Sequence, residues 1–187
     1  MPTERFVDRY ENIGVAGLAY YMFLTPHCHA KAFTLNCHVY SALLIENNQP
    51  FRWRGRYNED TDLCLQVLRS KKCTVLMNSF FVSKTATMRM KGGNADIYAG
   101  RGRLKMARAL EHAWPGIAKV IWKYGRPTHF VDWSKFKTQL RLKPGINLAD
   151  FPPVDEMGMT LKAVKPIKSK RLQEIVSEYQ HRQEATA

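Results

Sequence analysis

The apolar positions of the chain fall into short runs separated by polar and basic segments, a pattern that predicts several buried strands. The first run, residues 13–24, reads IGVAGLAYYMFL, and its glycines and aromatic residues suit a buried strand or loop edge better than an amphipathic helix. Strands are also predicted for CTVLMNSFFVS and AKVIWKYG, which are rich in β-forming residues. A short buried element is predicted for THFVDWSKF.

Two helices are predicted among these strands. Within NEDTDLCLQVLRSKK, apolar residues recur at helical spacing and basic residues gather at the far end, so we expect a helix that begins near Asp60 or Thr61. A second helix is predicted for GRLKMARALEHAWPG, where Pro115 stops it. Strands mixed with helices in this way favour an α/β fold.

The composition changes near Lys143, where Pro, Gly and Lys replace the apolar runs. We therefore predict one domain over residues 1–142, and over residues 143–187 a strap that ends in a polar helix. With 187 residues, 45% of them hydrophobic, the chain is long enough for one sizeable core. The run at residues 13–24 is too short to span a bilayer, so we expect a cytoplasmic protein with no membrane partner.

The charge of the chain is strongly positive: 29 Lys and Arg face 16 Asp and Glu, a formal net charge of +13. Such an excess favours a polyanionic partner such as nucleic acid, with a membrane surface or simple solubility as alternatives. Aromatic residues lie among the cations, an arrangement that suits stacked bases and bound phosphates. We expect most of the tryptophans in the core, but Trp53 and Tyr57, set among Arg52, Arg54 and Arg56, in contact with nucleic acid.

Cysteine and histidine residues are numerous but match no standard metal motif. The spacing of the four cysteines contains no CxxC pair, so we expect free thiols. A zinc site is a minor alternative for one His/Cys group, formed by His27, Cys28, His29, Cys37 and His38. His129 lies beside Phe130 and Val131, where a satisfied core histidine is the usual interpretation.

The most unusual feature is the acidic cluster of Glu59, Asp60 and Asp62. Three carboxylates so close together repel one another unless a cation, a helix terminus or neighbouring arginines offset the repulsion. One interpretation is a tuned general base that deprotonates an alcohol. The other is a helix N-cap at Asn58 or Asp60 with surface ion pairs. The residues alone leave both interpretations open.

A pair of glycines, Gly14 and Gly17, would let the backbone approach a ligand closely, although core packing is the more common reason for such a pair. The chain contains no Walker loop, no complete dinucleotide fingerprint and no GxSxG elbow. These glycines therefore predict a ligand contact only weakly.

Four strings together resemble the TET-associated glycosyltransferases of phages and bacteria: NIGVAG, RWRGRYNEDTDLCLQVLR, MKGGN and THFVDWSKF. The likeness runs over residues 12–136, and NEDTDL with the upstream RGRY is its most specific part. The resemblance implies a GT-A fold, a Rossmann-like mixed sheet with flanking helices. It also implies transfer of a sugar from a nucleotide-sugar to 5-hydroxymethylpyrimidines in DNA. A non-catalytic basic nucleic-acid-binding protein derived from such an enzyme is the alternative.

The resemblance also implies roles for individual residues. Asp60 matches the catalytic base of the GT-A carboxylate motif, and Glu59 matches the residue that orients the acceptor. The expected acceptor side is formed by Trp53, Arg54, Arg56, Tyr57 and Asn58.

On the donor side, Gly14 and Gly17 match the loop that borders the nucleotide-sugar, and His129 matches a histidine that binds the metal or diphosphate. Mg²⁺ or Mn²⁺, with Lys84 or Lys91, would stabilise the departing diphosphate. GT-A enzymes carry a DxD motif before the glycine loop, and no DxD motif precedes Gly14 in this chain. The resemblance therefore implies that the nucleotide-binding half is missing, so that either a separate partner supplies it or the chain is a remnant that binds without turnover. For a phage-encoded chain, the expected location is the host cytoplasm.

Overall fold

A computed structural model of the chain describes residues 2–20, 31–40, 42–83 and 100–150. Its helices are α1 (Pro2–Val7), α2 (Glu59–Arg69) and α3 (Gly102–Ala113), with short 3₁₀ turns at Trp133–Lys135 and Leu148–Asp150. Its strands are β1 (Ile13–Tyr20), β2 (Phe33–Leu35), β3 (Leu43–Ile45), β4 (Cys73–Val82), β5 (Ala118–Lys123) and β6 (Arg126–Val131). The predicted α/β class is confirmed.

Four of the strands form a mixed sheet in the order β2-β4-β1-β3. The two central strands, β1 and β4, run parallel, and the short edge strands β2 and β3 pair with them antiparallel. Central parallel strands are covered on both faces, which explains why β1 reads as an almost continuous apolar run. The sheet is therefore mixed, and its most buried strand, β1, is one of the two central strands.

Helix α2 covers one face of the sheet because its apolar stripe faces β1. Leu63, Cys64 and Val67 pack there with Val15 and Val39 in one core cluster. The opposite face forms a second cluster, in which Phe6 and Val7 of α1 lie against buried residues of β1 and β4. The two faces together fix the position of α2, and with it the acidic cluster at its first turn.

Helix α3 and the β5–β6 hairpin pack against the outer side of α2. Leu65 of α2 is fully buried in a cluster with Leu110, Trp114, Ala118 and Val131. The hairpin is antiparallel, and its two turn residues have positive φ angles, 53° at Tyr124 and 68° at Gly125. Two consecutive residues of this kind match the twist of a tight β-hairpin.

Most predicted elements appear close to their expected positions. Helix α2 begins at Glu59, one or two residues before the predicted start, and α3 ends at Ala113, before Pro115. The expectation for THFVDWSKF is wrong as stated, because the segment divides between β6 and a 3₁₀ turn and only Val131 in it is buried. The second part of the first apolar run and the predicted C-terminal helix lie outside the described residues.

The chain divides into two compact units, Met1–Ile146 and Asn147–Ala187. Of the second unit, only residues 147–150 are described, so the predicted boundary after residue 142 stays a prediction. Within the described ranges, no helix is both long enough and apolar enough to cross a membrane.

Candidate functional site

The acidic cluster places its three carboxylates in three different environments, because successive residues of a helix point about 100° apart. Glu59 is exposed, Asp60 is half-buried and Asp62 is buried. The N-cap residue is Asn58, in a left-handed conformation with φ of 52°, and its side chain makes no cap hydrogen bond. Its Nδ2 instead donates to the carbonyl of Met106 at 3.0 Å. The predicted N-cap is therefore confirmed at Asn58 as a position but without a capping side chain, and the alternative N-cap at Asp60 is wrong.

Asp62 is a structural carboxylate. Arg54 binds it through both ends of the guanidinium, with Nε 2.9 Å from Oδ2 and Nη2 2.6 Å from Oδ1. Trp114 Nε1 donates to Oδ1 at 2.7 Å and Gln66 Nε2 donates to Oδ2 at 2.8 Å. Burial raises the pKa of Asp62, but the donors of Arg54 and Trp114 outweigh it and hold this pKa below its usual value.

Asp60 faces the other way and meets His38. Its Oδ2 lies 3.2 Å from His38 Nε2, and its Oδ1 accepts a hydrogen bond from the Thr61 backbone N at 2.7 Å. The Thr61 hydroxyl lies 3.2 Å from the same ring nitrogen. Burial raises the pKa of Asp60, yet the bonds from His38 and Thr61 together bring it below the ordinary value. Asp60 is therefore ionised at neutral pH.

The imidazole of His38 is held by rings as well as by Asp60. Trp133 stacks on it almost in parallel, at 6° between planes and 6.1 Å between centroids, and Tyr40 lies 4.9 Å away. An ionised carboxylate can only accept hydrogen bonds, so Asp60 accepts one from Nε2 of His38. We therefore assign the ring proton to Nε2 and the unprotonated lone pair to Nδ1. The His38 side chain is 29% exposed and that of Asp60 is 35% exposed, so a ligand in solution can reach both.

His129 lies on β6 and shares the electrostatic field of this pair. Burial lowers the pKa of His129, the positive charge that His38 carries when its ring is fully protonated lowers this pKa further, and Asp60 partly offsets the effect. In the part of the chain that the structure describes, no group of three His, Cys, Asp or Glu residues is arranged to hold a metal ion. His129, the predicted metal or diphosphate ligand, thus has no set of partner ligands there.

The predicted glycine-rich loop is wrong as local structure, because Gly14 and Gly17 are buried within β1. A Cβ at Gly14 would lie 2.7 Å from Cγ1 of Val67, and one at Gly17 would meet the Ala42 carbonyl oxygen and Cγ1 of Val39. Both glycines therefore allow the strand to pack closely against its neighbours.

The predicted acceptor residues lie together beside the start of α2. Trp53 is 52% exposed, and Arg54, Arg56 and Tyr57 line a cavity of about 280 Å³ whose other wall is α3. The guanidinium of Arg54 is paired with the carboxylate of Asp62, so its position is fixed before any ligand binds. The predicted donor residues Lys84 and Lys91 lie outside the described ranges, as do His27, Cys28 and His29 of the zinc alternative.

Sequence reasoning missed the partners of Asp60. His38 was considered only for zinc, Thr61 only as a helix start, and Trp133 as a core residue. No spacing rule connects His38 to Asp60, because the two meet only when the segment after β2 packs against α2. Trp122 was also expected in the core, but it is 71% exposed.

Comparison with known proteins gives one family and no individual relative. Residues 2–93 match the family described as TET-Associated Glycosyltransferase. No curated protein and no solved structure matches the chain. The matched range holds the whole four-stranded sheet, α2 and the His38–Asp60 pair, whereas THFVDWSKF and the hairpin lie beyond it. The family that the motifs indicated is therefore confirmed, and the region from residue 2 to residue 93 is a TET-associated glycosyltransferase region with a glycosyltransferase-related function.

Proposed function

We propose that this protein transfers a sugar from a nucleotide-sugar to the hydroxymethyl group of a 5-hydroxymethylpyrimidine in DNA. The observation that carries the proposal is the accessible pair of Asp60 and His38 inside the region that matches the glycosyltransferase family. The net charge of +13 supports a substrate that is a polyanion.

The chemistry requires a proton acceptor. The acceptor oxygen forms a bond to the anomeric carbon, the bond from that carbon to the diphosphate breaks, and the hydroxyl proton must leave the oxygen. A carboxylate whose pKa is lowered is a weak base, whereas an imidazole is a stronger one near neutral pH. The sequence-based assignment of Asp60 as the base therefore becomes an assignment to the pair.

In this pair, Nδ1 of His38 takes the hydroxyl proton while Asp60 holds the Nε2 proton and stabilises the resulting imidazolium. Trp133 and Thr61 keep the ring in place. Glu59 is exposed next to Asp60 and is free to orient the acceptor. Arg54, Arg56 and Tyr57 line the 280 Å³ cavity on the Asp62 side of α2, and in the proposal they hold DNA outside the reacting hydroxyl group, which lies on the Asp60 side.

The donor side of the proposal rests on the family alone. It includes a nucleotide-sugar, Mg²⁺ or Mn²⁺, Lys84 and Lys91, and a separate polypeptide that supplies the donor-binding half. The proton transfer proposed here is assigned to His38 and Asp60, which are among the described residues.

The test compares the unaltered protein with Asp60→Asn and His38→Gln, incubated with nucleotide-sugars and DNA that contains 5-hydroxymethylcytosine. Mass spectrometry of the digested nucleosides measures the glycosylated product. Each substitution is expected to lower the rate by at least about 100-fold, the usual contribution of general base catalysis. Asp8→Asn changes an exposed acid away from the site and serves as the matched control.

Retention of the original rate by Asp60→Asn and His38→Gln would disprove the role of the pair. Absence of product with the unaltered protein, with and without the donor-binding partner, would favour the second candidate function, a non-catalytic DNA-binding protein. That candidate draws support from the exposed basic hairpin described below.

A further inference from the structure

The β5–β6 hairpin carries exposed aromatic residues that no part of the proposed chemistry uses. Trp122 is 71% exposed, Tyr124 is 75% exposed and Phe130 is 42% exposed. Single exposed apolar residues are ordinary, but three large exposed aromatic side chains on one hairpin, with Trp122 on one face and Phe130 on the other, indicate an interaction element. The exposed aromatic side chains of the hairpin therefore indicate a binding surface.

The strand register shows where this surface lies relative to the site. Residues opposite each other across the hairpin share a face, and the pairs Ala118–Val131, Val120–His129 and Trp122–Pro127 alternate with pairs on the other face. The first of these pairs is buried against Leu110 of α3 and Trp114, the residue that follows α3. Moving outward, the same face carries His129, which shares the field of His38 and Asp60, and then Trp122.

Trp122 is thus the next side chain beyond the Val120–His129 pair on this face of the hairpin, and it is the most exposed tryptophan of the described residues.

The charges of the hairpin fit the same partner. Between Ala118 and Val131 there is no acidic residue, and Lys119, Lys123 and Arg126 are all exposed. Lys123 and Arg126 form the last cross-strand pair before the turn, one row beyond the Trp122–Pro127 pair and on the opposite face of the hairpin. The ammonium of Lys119 lies 5.3 Å from the Phe130 ring, and that of Lys123 lies 5.2 Å from the Tyr124 ring. Aromatic faces with adjacent cations are the arrangement that binds unpaired nucleotides.

We propose that the β5–β6 hairpin is a DNA-binding element in which Trp122 stacks on an unpaired base and Lys123 and Arg126 contact the flanking phosphates. The place of the acceptor base beside Trp122 rests on the proposed function, whereas the DNA contact does not. An enzyme that acts on a base must take it out of the duplex, and the exposed ring stabilises the strand that has been opened.

The test measures binding of unmodified DNA by fluorescence anisotropy, without any nucleotide-sugar, for Trp122→Ala and Trp122→Phe. Labelled single-stranded DNA and a matched duplex are compared. Trp122→Ala is expected to weaken binding to the single strand about tenfold and to affect the duplex less, because stacking needs an unpaired base. Trp122→Phe retains a ring and is expected to lose no more than about threefold.

The cations are tested through the salt dependence of binding. Lys123→Ala and Arg126→Ala should each reduce the slope of log Kd against log salt by about one. Lys143→Ala changes an exposed lysine outside the hairpin and is the matched control. Since Trp122 is mostly exposed, the melting temperature of every hairpin variant should match that of the unaltered protein.

Three results would overturn the proposal. The first is an unchanged affinity of Trp122→Ala for single-stranded DNA. The second is that the hairpin variants lose binding to anionic vesicles and still bind DNA, which would indicate that the hairpin contacts a membrane surface. The third is conversion of a dimer to a monomer without effect on DNA, which would indicate self-association. If sugar transfer fails while DNA binding depends on Trp122, the proposed function falls and the hairpin assignment stands.

Discussion

Replacing Asp62 by Asn should destabilise the fold far more than the same change at Asp60, although the two acids are separated by a single residue. Asp62 accepts four hydrogen bonds, two of them from Arg54, and its side chain is only 6% exposed. Asp60 is 35% exposed and contacts His38 and Thr61 at the rim of the site. The carboxylate of Asp62 is therefore part of the packed interior, whereas that of Asp60 is accessible to a ligand.

The magnitude follows from the bonds that are lost. A hydrogen bond to a charged group contributes about 1.5–3 kcal/mol, and Asp62→Asn loses both ionic bonds to the guanidinium. Arg54 is 54% exposed and regains water, which reduces the loss. Asn retains an oxygen for Trp114 Nε1, so we expect a total near 3 kcal/mol, below the cost of orphaning a fully buried charge. For a chain of this length this corresponds to a fall in Tm of about 6–12 °C.

Urea unfolding, followed by circular dichroism, measures the two free energies of unfolding. Asp60→Asn should lose no more than about 1 kcal/mol, because partly exposed ion pairs contribute little. If Asp62→Asn lost less than Asp60→Asn, the division of the cluster into a structural and a functional carboxylate would be refuted.

Two further predictions concern stability. The folded state lowers the pKa of Asp60 and of Asp62, so both stabilise the fold above their unfolded pKa of about 4, and this stability is lost as pH falls through the lower folded values. The free energy of unfolding should therefore fall between pH 5 and pH 2, with a smaller change in Asp62→Asn; equal profiles would contradict the assignment. Gly17→Ala should cost about 2–3 kcal/mol in urea unfolding, because the added Cβ meets the Ala42 backbone carbonyl, and a neutral result would show that β1 can shift.

The elements of the fold were largely predictable because their determinants are local. The periodicity of Leu63, Val67 and Leu68 placed α2 within one or two residues of its start, and the β-forming run at residue 73 defined β4. The glycine pair was ambiguous, because a short Gly-Val-Ala-Gly string fits both a ligand loop and a tightly packed strand. Only the proximity of Val67 and Ala42 decides between them.

The site was predictable only in part. The acidic cluster stands out in a basic sequence, but the direction of each carboxylate depends on how α2 rotates against β1. His38 reaches Asp60 from a segment more than twenty positions earlier, and Trp133, which stacks on His38, comes from a turn more than seventy positions after Asp60. Trp122 lies in a strand with the composition of a core element, but α3 covers only the inner end of the hairpin.

The bonds that leave α2 for α3 bear on where this protein can be cut. Asn58 and Asp62 lie inside the region that matches the family, whereas their partners Met106 and Trp114 lie outside it. Leu65, fully buried, likewise depends on residues after 100 for its cover. The region that matches the family therefore ends before the residues that cover α2. Residues 2–93 produced alone would expose the apolar side of α2 and aggregate.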